Sequence, residues 1–70
     1  MKEVIVNQVS TLRLKKNVTQ EELAEALGVT RQTIIAIEKG NYTPSALLAL
    51  KMAKFFKKPV EEIFHIKNER

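Results

Sequence analysis

Only three residues, Gly28, Val29 and Thr30, separate two amphipathic segments in this 70-residue chain, and that short connection limits the fold more than any other feature. The whole stretch, Thr19 to Gly40, reads TQEELAEALGVTRQTIIAIEKG. Thr19 with Glu22 three residues on makes a capping box. The hydroxyl accepts the backbone N–H of Glu22, and the carboxylate accepts that of Thr19. Val18 and Leu23 flank the cap at hydrophobic-staple spacing. Gln20, Glu21 and Glu22 fill the first turn, where carboxylates suit the positive end of the helix dipole. Leu23, Ala24 and Leu27 share one apolar face, and Gly28 suits a left-handed stop. Thr30 is the cap of a second helix, with Val29 and Ile34 as its staple. Ile34 and Ile37 are its inward pair, and Gly40 closes it. A connection this short does not lay two helices side by side. It gives the crossed helix-turn-helix arrangement, with Ala24 small enough for a close crossing.

The spacing Gln20, Ala24, Gly28, Ile34, Ile37 and the phrases TQEELAEALGVTRQTI and IEKGNYTPS resemble the DNA-binding helix-turn-helix of the phage-repressor-like (XRE) family. The resemblance runs from about Asn7 to Phe64, most of the chain. It implies an all-α fold: a compact five-helix phage-repressor-like DNA-binding domain spanning residues 1–70, with the motif at 19–40. In the family, an arginine of the first helix pairs with a glutamate near the end of the recognition helix. Arg13 and Glu38 match those two places, so the resemblance implies a scaffold ion pair. The other reading of Arg13 is a phosphate contact.

Composition narrows the alternatives. Seventy residues make one domain with a limited core, which favours dimerisation. There is no cysteine, and the single histidine, His65, is too little for a histidine-based metal site, so no metal or cofactor is expected. No apolar run approaches the ~18 residues of a membrane span, and the start lacks a signal-peptide pattern, so a cytoplasmic protein with no membrane partner is expected. No nucleophile–base pair or phosphate-cradling glycine loop points to an enzyme. Net charge is +4. From Ala26 to Val60 the basic residues Arg31, Lys39, Lys51, Lys54, Lys57 and Lys58 face one acid, Glu38, a distribution that favours a polyanionic partner.

Outside the motif the signals are weaker. MKEVIV reads as a strand or a frayed end. Asn7 is a candidate cap for a helix over Gln8–Lys16 with Val9 and Leu12 inward, and Asn17 is a candidate stop. Thr43 and Pro44 suit the start of a fourth helix that runs to Phe56. On it, Ala46, Ala49, Leu50, Ala53 and Phe56 form a stripe expected to face the core. Leu48, Met52 and Phe55 form a second stripe on the other side, to be covered either by the chain termini or by another subunit, and are the candidate dimer surface. Val60 to about Phe64 reads as a short fifth helix, its start weakened by Pro59 where the family often has a serine. IFHIK could pair with EVIV as a two-stranded ribbon, and Asn68 to Arg70 reads as a frayed tail.

The candidate site follows from groove chemistry. A helix fits the DNA major groove with its first turn nearest the bases. Arg31 stands there and can donate two bonds to guanine, and Gln32 can pair with adenine. Ile35 is a candidate for a thymine methyl, or for packing at the helix edge, and Ala36 permits close approach. Gln20, Thr33, Lys39, Asn41 and Tyr42 are the candidate phosphate contacts. Arg31 touching phosphate alone, and Tyr42 packing on the core, remain open. Glu21, Glu22 and Glu25 have to face away from the phosphates. The function expected is a sequence-specific regulator that binds double-stranded DNA as a homodimer on a two-fold operator. The alternative is an antitoxin that binds a protein partner and its own operator.

Overall fold

The computed structural model describes residues 2–69. Four helices, α1 (Val9–Lys15), α2 (Gln20–Leu27), α3 (Arg31–Glu38) and α4 (Ala46–Phe56), lie between two strands, β1 (Lys2–Asn7) and β2 (Phe64–Glu69). The motif ends where its own residues dictate. The Thr19 hydroxyl accepts the N–H of Glu22 at 3.0 Å, and the Glu22 carboxylate accepts that of Thr19 at 2.8 Å. Gly28 stops α2 in the left-handed region at φ 74°, where a side chain would strain the backbone. Two residues later the Thr30 hydroxyl accepts the N–H of Thr33 and starts α3. Leu23, Leu27, Ile34 and Ile37 then meet in the core with 3% exposure or less.

α1 starts one residue later than the sequence suggests, because Asn7 works from outside the helix. Its Oδ1 accepts the N–H of Val9 at 3.1 Å, and its Nδ2 donates to the Ile37 carbonyl at 2.9 Å. One side chain thus ties the entry to α1 to the end of α3. Asn17, at φ 63°, makes the left-handed exit.

α4 differs from expectation in its start and its rotation. The Ser45 hydroxyl accepts the N–H of Leu48 at 3.2 Å, so the helix begins at Ala46 and Pro44 lies before the cap. Leu48, Met52 and Phe56 are its buried residues. Leu50 is 63% exposed, and of the expected inward stripe only Phe56 is buried. The inward face thus draws Leu48 and Met52 from one stripe and Phe56 from the other, which corrects the dimer candidates: Leu48 and Met52 fill this domain's own core. Volume explains the rotation. Turning the alanines inward would leave space that Leu48 and Met52 fill, and each large apolar side chain buried contributes about 1.5–3 kcal/mol. Phe55, half-buried, meets Phe56 edge-on with ring centroids 5.2 Å apart.

The fifth helix is not there. Val60–Glu62 forms a single 3-10 turn after Pro59, with no side-chain cap. Ile63 follows with no exposed surface, and the chain is already extended at Phe64. The architecture is four helices plus a two-stranded antiparallel ribbon. Its register pairs Ile5 with Ile66 and Val6 with His65, and it includes Asn68 and Glu69 opposite Glu3 and Lys2. Those two belong to the strand, not to a frayed tail; Arg70 lies outside the described residues. The ribbon is fastened at its base by the N–H of Gln8, which donates to the Ile63 carbonyl at 2.8 Å.

Candidate nucleic-acid interface

The first turns of α2 and α3 meet at an open cleft of about 430 Å³ lined by Arg13, Thr19, Gln20, Glu21 and Arg31. Behind it lies a hydrogen-bonded group of three side chains. Arg13 Nε donates to Glu38 Oε2 at 2.8 Å, and its Nη2 donates to Oε1 at 3.3 Å. Arg13 Nη1 donates to the Val18 carbonyl at 3.0 Å, ahead of the α2 cap. Gln20 Nε2 donates to Glu38 Oε1 at 3.1 Å. The ion pair is 11% and 9% exposed on its two sides, so each charge depends on the other for its partner. This network joins α1, α2 and α3 through one carboxylate.

The network qualifies what Gln20 can do. One of its amide hydrogens is engaged by Glu38. Its second N–H and its carbonyl oxygen remain for an outside partner. Arg13 spends three donor nitrogens inside the protein, an arrangement of scaffold type.

Along α3 the residues sort by the helical period. Ile34 and Ile37 hold one face on the core. Arg31 and Gln32 are exposed at the first turn, and Thr33, Ile35 and Ala36 are half-buried beside it. The Thr33 hydroxyl is 3.1 Å from that of Thr30, so part of its capacity is used in the cap. Lys39 and Asn41 are exposed beyond the C-terminal end, where the Asn41 N–H donates to the Ala36 carbonyl at 2.9 Å. Tyr42 is 48% exposed and shares a shallow groove with Val29, Thr33, Leu47 and Lys51. The candidate residues therefore form two groups. Gln20 and Arg31 meet at the cleft, and Thr33 and Tyr42 meet at the groove on the other side of the turn.

The acids of α2 are placed unevenly. Glu21, Glu22 and Glu25 are all exposed. The Glu22 carboxyl is held below its ordinary pKa by the Thr19 backbone N–H and then by the Thr19 hydroxyl. Glu21 lines the cleft beside Arg31, a position that its place in the first turn of α2 hinted at and that the sequence reading assigned only to the face turned from DNA.

Residues 9–63, which contain this crossed helix pair, match the family model described as helix-turn-helix. The chain belongs to this XRE-type helix-turn-helix family. It is 59% identical over 58 residues to an uncharacterised HTH-type transcriptional regulator, MJ0272, of Methanocaldococcus jannaschii, covering 83% of this chain and 88% of the relative. It is 51% identical over 63 residues to the uncharacterised HTH-type transcriptional regulator YgzD of Bacillus subtilis, covering 90% and 96%. The cryptic phage CTXphi transcriptional repressor RstR of Vibrio cholerae is 35% identical over 57 residues, 81% of this chain and 51% of the repressor. The helix-turn-helix domain here carries no helix, among the described residues, long and apolar enough to cross a membrane.

Proposed function

We propose that this chain is a sequence-specific regulator of transcription that lays α3 in the major groove of double-stranded DNA and acts as a dimer on a two-fold operator. The observation that carries the reading is the division of α3. Ile34 and Ile37 are anchored in the core, while Arg31 and Gln32 stand exposed at the first turn beside Gln20. Gln20 takes phosphate with its remaining N–H, with Thr33 and Tyr42 on the other side of the groove and Lys39 and Asn41 beyond the helix end. Arg31, Gln32 and Ile35 read base edges. Arg13 and Glu38 stay inside as the scaffold.

Exposed apolar residues away from α3 support the dimer. Ile5, Leu50 and Ile66 are 48%, 63% and 67% exposed. Ile5 and Ile66 are cross-strand partners, and Ile5 borders an apolar hollow of about 130 Å³ completed by Thr43, Pro44, Ala49, Val60 and Phe64. A two-fold contact there covers these residues and sets two recognition helices about 34–36 Å apart on one face of DNA. Selection from random duplexes with the purified protein tests the whole reading, and the expected product is an inverted repeat. Its affinity falls steeply with salt, with a log–log slope of about −0.9 per phosphate neutralised. Equal affinity for every duplex at every salt concentration would falsify sequence-specific regulation.

A further inference from the structure

We infer that Glu21 is a positioning residue for Arg31, and that it sets how strongly this protein prefers guanine at the base pair Arg31 reads. The inference rests on the DNA-binding reading above and adds a specificity determinant to it.

Five residues line the cleft, and the side chains of three already have partners inside the protein, Gln20 through one of its amide hydrogens. Arg13 is bound to Glu38 and the Val18 carbonyl, Gln20 donates to Glu38, and Thr19 is occupied by the α2 capping box. The two that remain are Glu21 and Arg31, both exposed and of opposite charge, and neither is in an ion pair among the described residues. Glu22, the neighbouring carboxylate, is turned back onto the Thr19 N–H, which leaves Glu21 as the carboxylate lining the cleft. Each is held at its base. Glu21 is on the first turn of α2, fixed by its capping box, and Arg31 is the first residue of α3, fixed by Thr30.

A guanidinium has five N–H donors in a planar fork. A bidentate pair with guanine O6 and N7 uses one edge and leaves another free. A carboxylate accepting from the free edge fixes the plane of the fork. It also removes donors that would otherwise take a phosphate. Without Glu21, Arg31 keeps its charge and its reach but loses its reason to face the base. It then turns to the backbone, which has no sequence.

This gives a result that ordinary charge repulsion does not. Removing a negative charge near DNA strengthens binding to all sequences alike through the long-range field. Removing a positioning carboxylate lowers discrimination at one base pair. The experiment measures binding of wild type, Glu21→Gln, Arg31→Ala and the double variant to the selected duplex and to its three single-pair substitutions at the position that Arg31→Ala relaxes. Glu21→Gln is expected to reduce the guanine preference there by roughly three- to tenfold, against a full arginine–guanine discrimination of about five- to 150-fold. Other positions keep their preferences, and in the Arg31→Ala background the glutamine variant changes nothing further at that position. Both variants are at exposed sites, so thermal melting is expected to match wild type. If Glu21→Gln raises affinity for all four duplexes equally, Glu21 is a remote charge and the inference fails. If it lowers guanine preference equally with and without Arg31, the effect does not pass through Arg31 and the inference also fails. In both cases a preferred duplex for wild type leaves the DNA-binding reading standing. A wild type with no preferred duplex overturns both.

Discussion

The motif from Thr19 to Gly40 and the segment from Asn41 to Glu69 are similarly small pieces of one domain, yet their sequences constrain them in different ways. In the first, each helix end is fixed by a residue within four positions: Thr19 with Glu22, Gly28, Thr30 with Thr33. In the second, α4 is capped just as locally, by Ser45 with Leu48, but it has apolar residues almost all round, and which face turns inward is decided by the rest of the core. Local chemistry fixes where a helix begins and ends. Its rotation about its axis is fixed by the volume it must fill. The join between the two regions is sharp, because the motif is also tied to α1 through Glu38, whereas the ribbon is fastened to the helices through Gln8 and Ile63.

The largest effect should come from cutting that tie. Arg13→Ala leaves the Glu38 carboxylate, 9% exposed, with Gln20 as its remaining side-chain donor. Breaking one partner of such a pair costs roughly 3–5 kcal/mol, so a large fall in denaturation midpoint is expected. An unchanged melting curve accompanied by lost DNA binding would instead make Arg13 a phosphate contact, despite its three internal hydrogen bonds.

The next test asks which way α4 is turned. Met52→Ala should destabilise by about 2–5 kcal/mol, because Met52 has no exposed surface. Leu50→Ala, at a side chain 63% exposed, should change monomer stability by no more than about 0.5 kcal/mol. Ile66→Glu should leave the monomer folded but lower the association constant measured by sedimentation equilibrium. The reverse ranking of Met52 and Leu50 would restore the alanine face to the core. A monomer at all concentrations, with a selected site lacking an inverted repeat, would leave a reader of single half-sites.

These outcomes bear on what the sequence could disclose. The helix-turn-helix was legible because its caps, its left-handed glycine and its inward isoleucines are all short-range signals. The Arg13–Glu38 pair, 25 residues apart in sequence, was legible only through the family resemblance. The rotation of α4 was not legible, since periodicity marks two faces without ranking them. Ile63 fell within both the short-helix and the ribbon readings of the C-terminal segment, and neither marked it as core, because its burial comes from closing the 3-10 turn onto the helices. The same limit applied at Gln20, whose bond to Glu38 joins residues 18 apart.

At the interface, Arg31→Ala should lose roughly 1–3 kcal/mol at one base pair and relax selection there. Lys39→Ala should weaken all duplexes alike and make the salt slope shallower by about one unit. The pair contrasts the first turn of α3 with its far end. Exchanged outcomes would reverse the direction in which the helix enters the groove.

The smallest effect concerns the α2 cap, where the sequence reading and the structure agree in most detail. Thr19→Ala removes the acceptor for the Glu22 N–H and should cost about 1 kcal/mol, which for a domain of this size is a melting shift of ~4–8 °C. Glu22→Gln is subtler, because glutamine keeps a side-chain acceptor for the Thr19 N–H but loses the charge. The folded Glu22 carboxyl titrates below its ordinary value of 4.5. Its contribution is therefore complete above the unfolded carboxyl pKa and disappears as pH falls through the lower folded value. Wild type should melt slightly higher than Glu22→Gln at neutral pH, and the gap should close as pH falls below 4.5. Melting at fixed protein concentration over that range reads the difference directly. A gap that stays constant through the acid range would mean that Glu22 stabilises the cap by shape and hydrogen bonding alone. Its charge would then play no part at the helix end that also carries Gln20 and Glu21.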